Sequence, residues 1–438
     1  MPRTPDKRSI SLITATCLVV ANMVGTGVFT SLGFQVGALP SGFTILCLWL
    51  LGGVCAFCGA VTYGELAAAF PRSGGEYHYL SKVYHPAVGF LAGWLSASVG
   101  FAAPVALAAM AFGKYFGSMF PDIAPLGPSL VVVGMVTAIH LRGGGFSSIF
   151  QNAATSFKLL LILGLIAAGI SAGQSQPISF LFQKSDVPLL TSAPFAASLI
   201  YVMYAYSGWN ASTYIVGEID NPARNVPRSV GIGTLLVIGL YLALNAIFLR
   251  VVPISELTNK IEVGQIAAAH IFGPTGGKIM AGLICVGLIS SISAMTWIGP
   301  RVTMTMGEDC RALSIFARKT ASGIPVIAIV GQSLIVSLLL ATASFDQVLI
   351  YVQFSLQFCS FLAVLGVIIL RFTQPTLPRP YKTWGYPLTP LIFLAVSSWM
   401  LWQIAQSNPK ESLVGLGTML LGLIIYFFSP TQEAERSR

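Results

Sequence analysis

Charge is what this chain has least of. Only 9% of its 438 residues are Asp, Glu, Lys or Arg, where a soluble domain carries about 25%. So thin a supply cannot cover a water-facing surface, which argues against a soluble enzyme, and a disordered chain would carry more charge still. Acid is scarcer than base, 15 residues against 24. No basic run alternates with aromatics, so nucleic acid is not an expected partner. Histidine is rare, and His78, His85, His140 and His270 show no metal-ligand spacing. Neither a metal nor a cofactor is expected. The seven cysteines are an odd number; Cys17, Cys47, Cys55, Cys58, Cys285 and Cys359 lie in apolar stretches and Cys310 in a loop. The Cys55-x-x-Cys58 pair, inside an apolar run, reads as small packing residues rather than a redox or zinc pair. A secretory signal is also lacking: Arg3, Lys7 and Arg8 precede a span-length apolar stretch with no cleavage site, so this first span is read as retained.

What the chain does have is apolar sequence, at 55% of its residues. One bilayer-spanning helix takes roughly 20 apolar residues. Twelve apolar segments can be drawn, at 10–34, 42–69, 86–116, 126–142, 148–172, 193–217, 228–251, 275–306, 324–342, 347–372, 387–406 and 411–429. Backbone groups in lipid need internal hydrogen bonds, so these segments are expected to be helices. The fold class is an all-α polytopic membrane protein of 12 transmembrane helices, in one domain, 1–438. Of the 24 Lys and Arg, 17 fall on the side of the N-terminus, six on the other, and Lys158 lies within a span. That bias predicts an even number of spans with both termini cytoplasmic, in the cell inner (plasma) membrane.

Two segments carry breaks. The first contains Asn22-Met23-Val24-Gly25-Thr26-Gly27, and glycines weaken a helix by about 1 kcal/mol each relative to Ala. The sixth contains Tyr204-Ala205-Tyr206-Ser207-Gly208-Trp209-Asn210. Interrupted spans at matching places in two halves point to a transporter's binding site. A broken helix offers N–H groups where its second half starts and C=O groups where its first half ends. Helix dipoles favour an anion at the former and a cation at the latter. Two such breaks facing each other suit an ion with both charges close together, as in an α-amino acid zwitterion. Glycines that only permit close helix packing are the competing reading.

Ionisable groups at membrane depth are costly and suggest function. Lys158 is the clearest case. It can act as a proton carrier or as a fixed charge replacing a bound sodium ion. Span eight holds Ser290, Ser291, Ser293 and Thr296; Ser290 and Ser293 are taken as candidate coupling or sodium-substitute residues, with Lys158 as their partner. Helix-packing polar groups are the simpler alternative there. Tyr204 and Trp209 are expected to form an apolar wall over the ligand. Glu65 is read as interfacial, and Glu218 and Asp220 as capping or pairing with Arg224 or Arg228. No other Asp or Glu sits mid-span, which disfavours a substrate with a second, distal positive charge.

At these residues the chain resembles the amino acid–polyamine–organocation (APC) superfamily, and within it the bacterial relatives of the L-type amino acid transporters. The resemblance covers roughly residues 10–430. It rests on Met23-Val24-Gly25-Thr26-Gly27-Val28-Phe29, on Tyr63-Gly64-Glu65-Leu66 running into Phe70-Pro71-Arg72-Ser73-Gly74-Gly75-Glu76-Tyr77, on Tyr204 to Asn210, and on Glu218-Ile219-Asp220-Asn221-Pro222-Ala223-Arg224-Asn225-Val226-Pro227-Arg228. It implies a 5+5 inverted repeat with interrupted helices 1 and 6, at 10–172 and 193–372, plus two C-terminal helices at 387–429. It also implies a substrate carboxylate on N–H groups near Gly25, Thr26 and Gly27. The ammonium would meet carbonyls near Met23, Tyr204, Ala205 and Ser207. Trp209 and Asn210 match the family's pattern. Tyr204 stands where L-type members usually carry Phe, which forms a lid over the ligand. Lys158 matches a lysine placed where sodium sits in sodium-coupled relatives. The loop 117–128 lacks the cysteine that L-type light chains use to join a heavy chain, so no disulfide-linked partner is expected, and the chain is read as a monomer or homodimer in lipid.

The function expected is secondary transport of neutral amino acids, by alternating access with proton symport or amino acid exchange and without sodium. A cationic amino acid or polyamine permease is the alternative within the class. A channel would need a continuous polar pore, and no filter motif or charged ring is present. An intramembrane enzyme would need a catalytic dyad, for which Lys158 and the span-eight serines are the sole candidates. A non-transporting amino acid sensor would bind without flux.

Overall fold

Short polar residues set where the helices begin. Ser11, Ser41, Ser192 and Ser344 each accept a backbone N–H through the side chain at the start of a helix, as caps do for donors that lack an intrahelical acceptor. The computed structural model describes residues 10–142, 146–173 and 175–428, with backbone only for 146–151 and 428. Its elements are α1 (Leu12–Met23), α2 (Gly27–Gln35), α3 (Gly42–Ala69), α4 (Glu76–Val83), α5 (Pro86–Leu95), α6 (Ala102–Met119), α7 (Leu126–Arg142), α8 (Phe146–Ser171), α9 (Asp186–Leu190), α10 (Ala193–Tyr206), α11 (Pro222–Val251), α12 (Ile254–Leu257), α13 (Val263–Asp309), α14 (Val326–Thr342), α15 (Phe345–Thr373), α16 (Leu388–Ser407) and α17 (Pro409–Phe428). A π-helical turn, Ser96–Gly100, joins α5 to α6, and 3₁₀ turns span Ala211–Glu218 and Arg311–Ala317. A parallel bridge joins Ile10 to Ile219.

Nine helical stretches are long and apolar enough to cross a membrane, counted among the described residues, with shorter apolar helices at Leu126–Arg142 and Val326–Thr342. The chain is thus a polytopic helical membrane protein. The segment expected at 193–217 is split: α10 has 14 residues and gives way to a turn and the 3₁₀ stretch. The segment expected to begin at 275 starts after Gly273, whose φ of 80° breaks α13 ahead of Pro274. The terminal charges used for orientation, Arg3, Lys7, Arg8, Arg436 and Arg438, lie outside the described residues.

Two packings place the site. Helix α3 runs along α11, and α6 along α13. The unwound junctions of α1 with α2 and of α10 with the 3₁₀ stretch lie between them. Trp49, Tyr206 and Tyr241 fill the space behind these junctions, their rings 5.1 to 6.0 Å apart. Glu65, near the carboxyl end of α3, is buried and ties that end to α15 and the segment after it. Its carboxylate accepts from Arg371 at 3.0 and 2.7 Å, from Arg379 at 3.2 Å, and from the Thr383 N–H and hydroxyl, each at 2.7 Å. Glu218 pairs with Arg301 at 3.2 Å, and neither Arg224 nor Arg228 is its partner.

Candidate functional site

Both breaks are real interruptions of the backbone. Helix α1 stops at Met23, and Val24 has φ −77° and ψ 81°. Helix α2 starts at Gly27, and its first residue outside, Thr26, gives no side-chain cap. The Thr26 hydroxyl instead meets the Tyr204 hydroxyl at 2.7 Å. The amino end of α2 is therefore left without a side-chain acceptor, which suits an anion. Helix α10 stops at Tyr206, Ser207 turns out with ψ 152°, and Gly208 follows with φ 92°. That positive φ is one a residue with a Cβ rarely takes.

The two breaks touch through glycine. A Cβ on Gly27 would lie 2.4 Å from the Ala205 Cα, and one on Gly208 would lie 3.0 Å from the Asn22 carbonyl carbon. Gly25 differs: a Cβ there meets only the Ser291 side chain, its Oγ at 3.5 Å and its Cβ at 3.9 Å. Its bareness serves open space and not contact. That space is a small cavity lined by Met23, Gly25, Thr26, Gly27, Tyr204, Ala205 and Ser207, together with Pro104, Ala108 and Met295. Seven of the nine predicted substrate residues thus gather at one cavity.

Trp209 and Asn210 do not line it. The Trp209 ring lies edge-on to Tyr63 at 4.8 Å and to Phe393 at 6.1 Å. The Asn210 amide donates to Glu76 at 2.8 Å. Glu76 also accepts from the hydroxyls of Tyr63 and Tyr214. Burial pushes the Glu76 carboxyl up from its ordinary value, against the lowering effect of these three donors. These residues form a polar seam beside the site and are not walls of it.

Lys158, on α8, is 3% exposed. Its ammonium donates to the carbonyls of Ala21 at 3.2 Å and Val24 at 2.8 Å, and to the Ser291 hydroxyl at 2.7 Å. An ammonium has three protons, so its donors match three acceptors. The Lys158 amino group thus closes the carboxyl end of α1, where the helix dipole is negative. The serine of span eight that meets Lys158 is Ser291. Ser293 bonds the His140 ring at 2.9 Å, and the buried Ser290 hydroxyl has no partner. Around a helix Ser291 sits about 100° or more from both Ser290 and Ser293, which share a side, and only coordinates say which side faces α8. A second small cavity joins Lys158, Gly25 and Ser291 to Phe29 and Leu288.

Sequence reasoning missed Tyr241. Its hydroxyl lies 2.5 Å from the Met23 carbonyl and 3.2 Å from the Ala205 carbonyl, bridging the carboxyl ends of α1 and α10. Inside an apolar helix a tyrosine reads as core packing, and only the two broken ends beside it give it a role.

A cavity between two broken helices in a polytopic bundle, with a buried lysine at one helix end, is the site of a membrane transporter. The chain belongs to the amino acid permease family, whose profile matches residues 10–428. It is an amino acid transporter of the APC superfamily, and its relatives are carriers, not enzymes. It is similar to the serine/threonine exchanger SteT of Bacillus subtilis (strain 168), at 27% identity over 98% of each chain. It is 25% identical to the b(0,+)-type amino acid transporter 1 of Rattus norvegicus, over 97% of this chain and 89% of that one. It is 27% identical to the large neutral amino acids transporter small subunit 2 of Mus musculus, over 96% of this chain and 81% of that one.

Proposed function

We propose that this chain carries neutral amino acids across the cell membrane by alternating access, without sodium, as an exchanger. The observation that supports this most directly is Lys158. Its ammonium already occupies the carboxyl end of α1 with its three donors matched. A fixed charge there takes the place that a travelling cation would need. The incoming substrate ammonium is then left the carboxyl end of α10, around Tyr204 to Ser207, while its carboxylate takes the uncapped start of α2. No Asp or Glu lines the cavity, which favours a zwitterion over a cationic amino acid or a polyamine. The exchanger named among the relatives supports exchange over proton symport.

On this reading the chain makes twelve crossings, with repeats at 10–172 and 193–372 and two added helices, and both termini are cytoplasmic. The substrate zwitterion draws the two breaks together, a bundle rocks, and the cavity opens to the other side. No disulfide-linked heavy chain is required.

Uptake of radiolabelled neutral amino acids into proteoliposomes tests this, with and without amino acid inside and across an imposed pH gradient. Exchange requires uptake only into preloaded vesicles, indifferent to the gradient. Acid-driven uptake into empty vesicles would replace exchange by proton symport. Binding without flux would make the protein a sensor. Lys158→Ala is expected to abolish exchange, because it leaves the carbonyls of Ala21 and Val24 without their cation.

A further inference from the structure

Among the described residues, one hydrogen bond joins side chains of the two breaks, and it lies at the cavity. Thr26 Oγ1 and Tyr204 Oη are 2.7 Å apart, and the two residues are 4% and 7% exposed. Both line the cavity. So do Pro104, Ala108 and Met295, which offer no hydrogen bond. Ser291 also lines it, but its hydroxyl is engaged by Lys158 and Val24. Each hydroxyl of the pair is therefore satisfied chiefly by the other.

We propose that the Thr26–Tyr204 hydroxyl pair sets substrate class, selecting short side chains that carry a hydroxyl or an amide over aliphatic and aromatic ones of the same size. This rests on the transport reading above and narrows it. A zwitterion held between the start of α2 and the end of α10 lies between the two residues. Its side chain either fits beneath an intact pair or parts it. Once parted, two buried hydroxyls need new partners. A substrate hydroxyl donates to one and accepts from the other, and an amide does the same with its N–H and C=O. A methyl group in that place does neither, and both protein hydroxyls stay unpaired. Sites built to bond a substrate hydroxyl reject the analogue that lacks it, because their own polar groups are then stranded.

Threonine and valine make the comparison isosteric. The experiment measures inhibition constants of threonine, valine, asparagine and leucine against radiolabelled serine. Uptake uses preloaded proteoliposomes, and scintillation proximity binding in detergent gives a second readout. Wild-type protein is expected to prefer threonine over valine by about ten-fold or more. Tyr204→Phe removes one hydroxyl and should bring the ratio toward one, chiefly through tighter valine. Thr26→Val should do likewise, while Thr26→Ser, which keeps the hydroxyl, should preserve the preference. A wild-type ratio near one, or a ratio unmoved by Tyr204→Phe, overturns the inference and leaves neutral amino acid transport standing. Failure of the wild-type protein to take up or bind any neutral amino acid overturns the transport reading, and the inference with it.

Discussion

At the scale of single residues, two glycines two positions apart do opposite things. Gly27 is bare because Ala205 backbone lies where a Cβ would go, at 2.4 Å. Backbone cannot swing aside as a flexible side chain can, so Gly27→Ala has to force α2 and α10 apart. Overpacking of this kind costs typically 1–3 kcal/mol. The expected result is a lower melting temperature in detergent together with lost transport. Gly25→Ala meets only ordinary contact with the Ser291 side chain, at 3.5 and 3.9 Å. It should fold with unchanged melting and lose substrate affinity, because the methyl group enters the cavity. Equal damage from both substitutions would contradict these separate roles. The serines of α13 give a matching contrast. Ser291→Ala strands one proton of a buried ammonium and should cost about 1–3 kcal/mol. Ser290→Ala removes a hydroxyl that has no partner and should be neutral or stabilising. Thermal melting of the two variants side by side decides it.

At the scale of elements, the breaks themselves were legible in the sequence, since glycine and polar residues inside a span announce a helix that stops. Lys158 was legible for a similar reason, as a charge in lipid that demands a partner. What could not be read was rotation and neighbourhood. Three serines fall within four positions of α13, and which one faces α8 depends on the helix's turn about its axis. Trp209 and Asn210 share the motif of the second break, yet the chain has turned by then, and both point into the seam around Glu76. That seam joins α4 to α3 and to the 3₁₀ stretch after the break. The groups on Glu76 are Tyr63 from α3 and Asn210 and Tyr214 from beyond α10, with Tyr79 of α4 and Cys359 of α15 near enough to feel its charge. Burial raises the carboxyl above its ordinary 4.5. A carboxyl with a raised pKa holds its proton more tightly here than in water. The seam is therefore favoured in acid, and that contribution is lost as pH rises through the raised pKa. Wild-type protein should melt higher at about pH 5 than at about pH 8 by a margin that Glu76→Gln removes. An unchanged pH profile in Glu76→Gln would show that Glu76 does not titrate in this range.

At the scale of the whole molecule, the apolar runs foretold a polytopic helical bundle, and nine of its stretches meet the length and hydropathy of a span. Helices α7 and α14, of 17 residues each, are shorter apolar helices, and α10 stops at 14 residues because the chain unwinds there to build the site. The two halves of the chain are held together at one end by a set of polar contacts. Ile10 exchanges backbone hydrogen bonds with Glu218 and Asp220, at 3.1 and 3.0 Å. Arg301 pairs with Glu218 and lies over the Trp297 ring, 4.5 Å from its centroid. Arg72 forks onto Asp309 at 2.9 and 3.0 Å, and the Tyr77 hydroxyl donates to the same carboxylate. On the proposed orientation this is the cytoplasmic face, and alternating access requires the set to part and re-form in each cycle. The Arg72–Asp309 pair is 45% and 30% exposed, so its worth to overall stability is about 0–1 kcal/mol. An energy that small barely moves a melting temperature, yet it shifts an equilibrium between two open states by up to about five-fold. Arg72→Asp and Asp309→Arg should each place like charges in contact and bias the carrier toward opening at this face. Exchange should slow in both, and a reporter cysteine in this seam should label faster from the cytoplasmic side. The double reversal restores an opposite-charge pair and should recover both measurements, with melting little changed throughout. If the double variant labels and transports like the singles, the pair is an ornament of the surface and the gating contacts lie elsewhere in the seam.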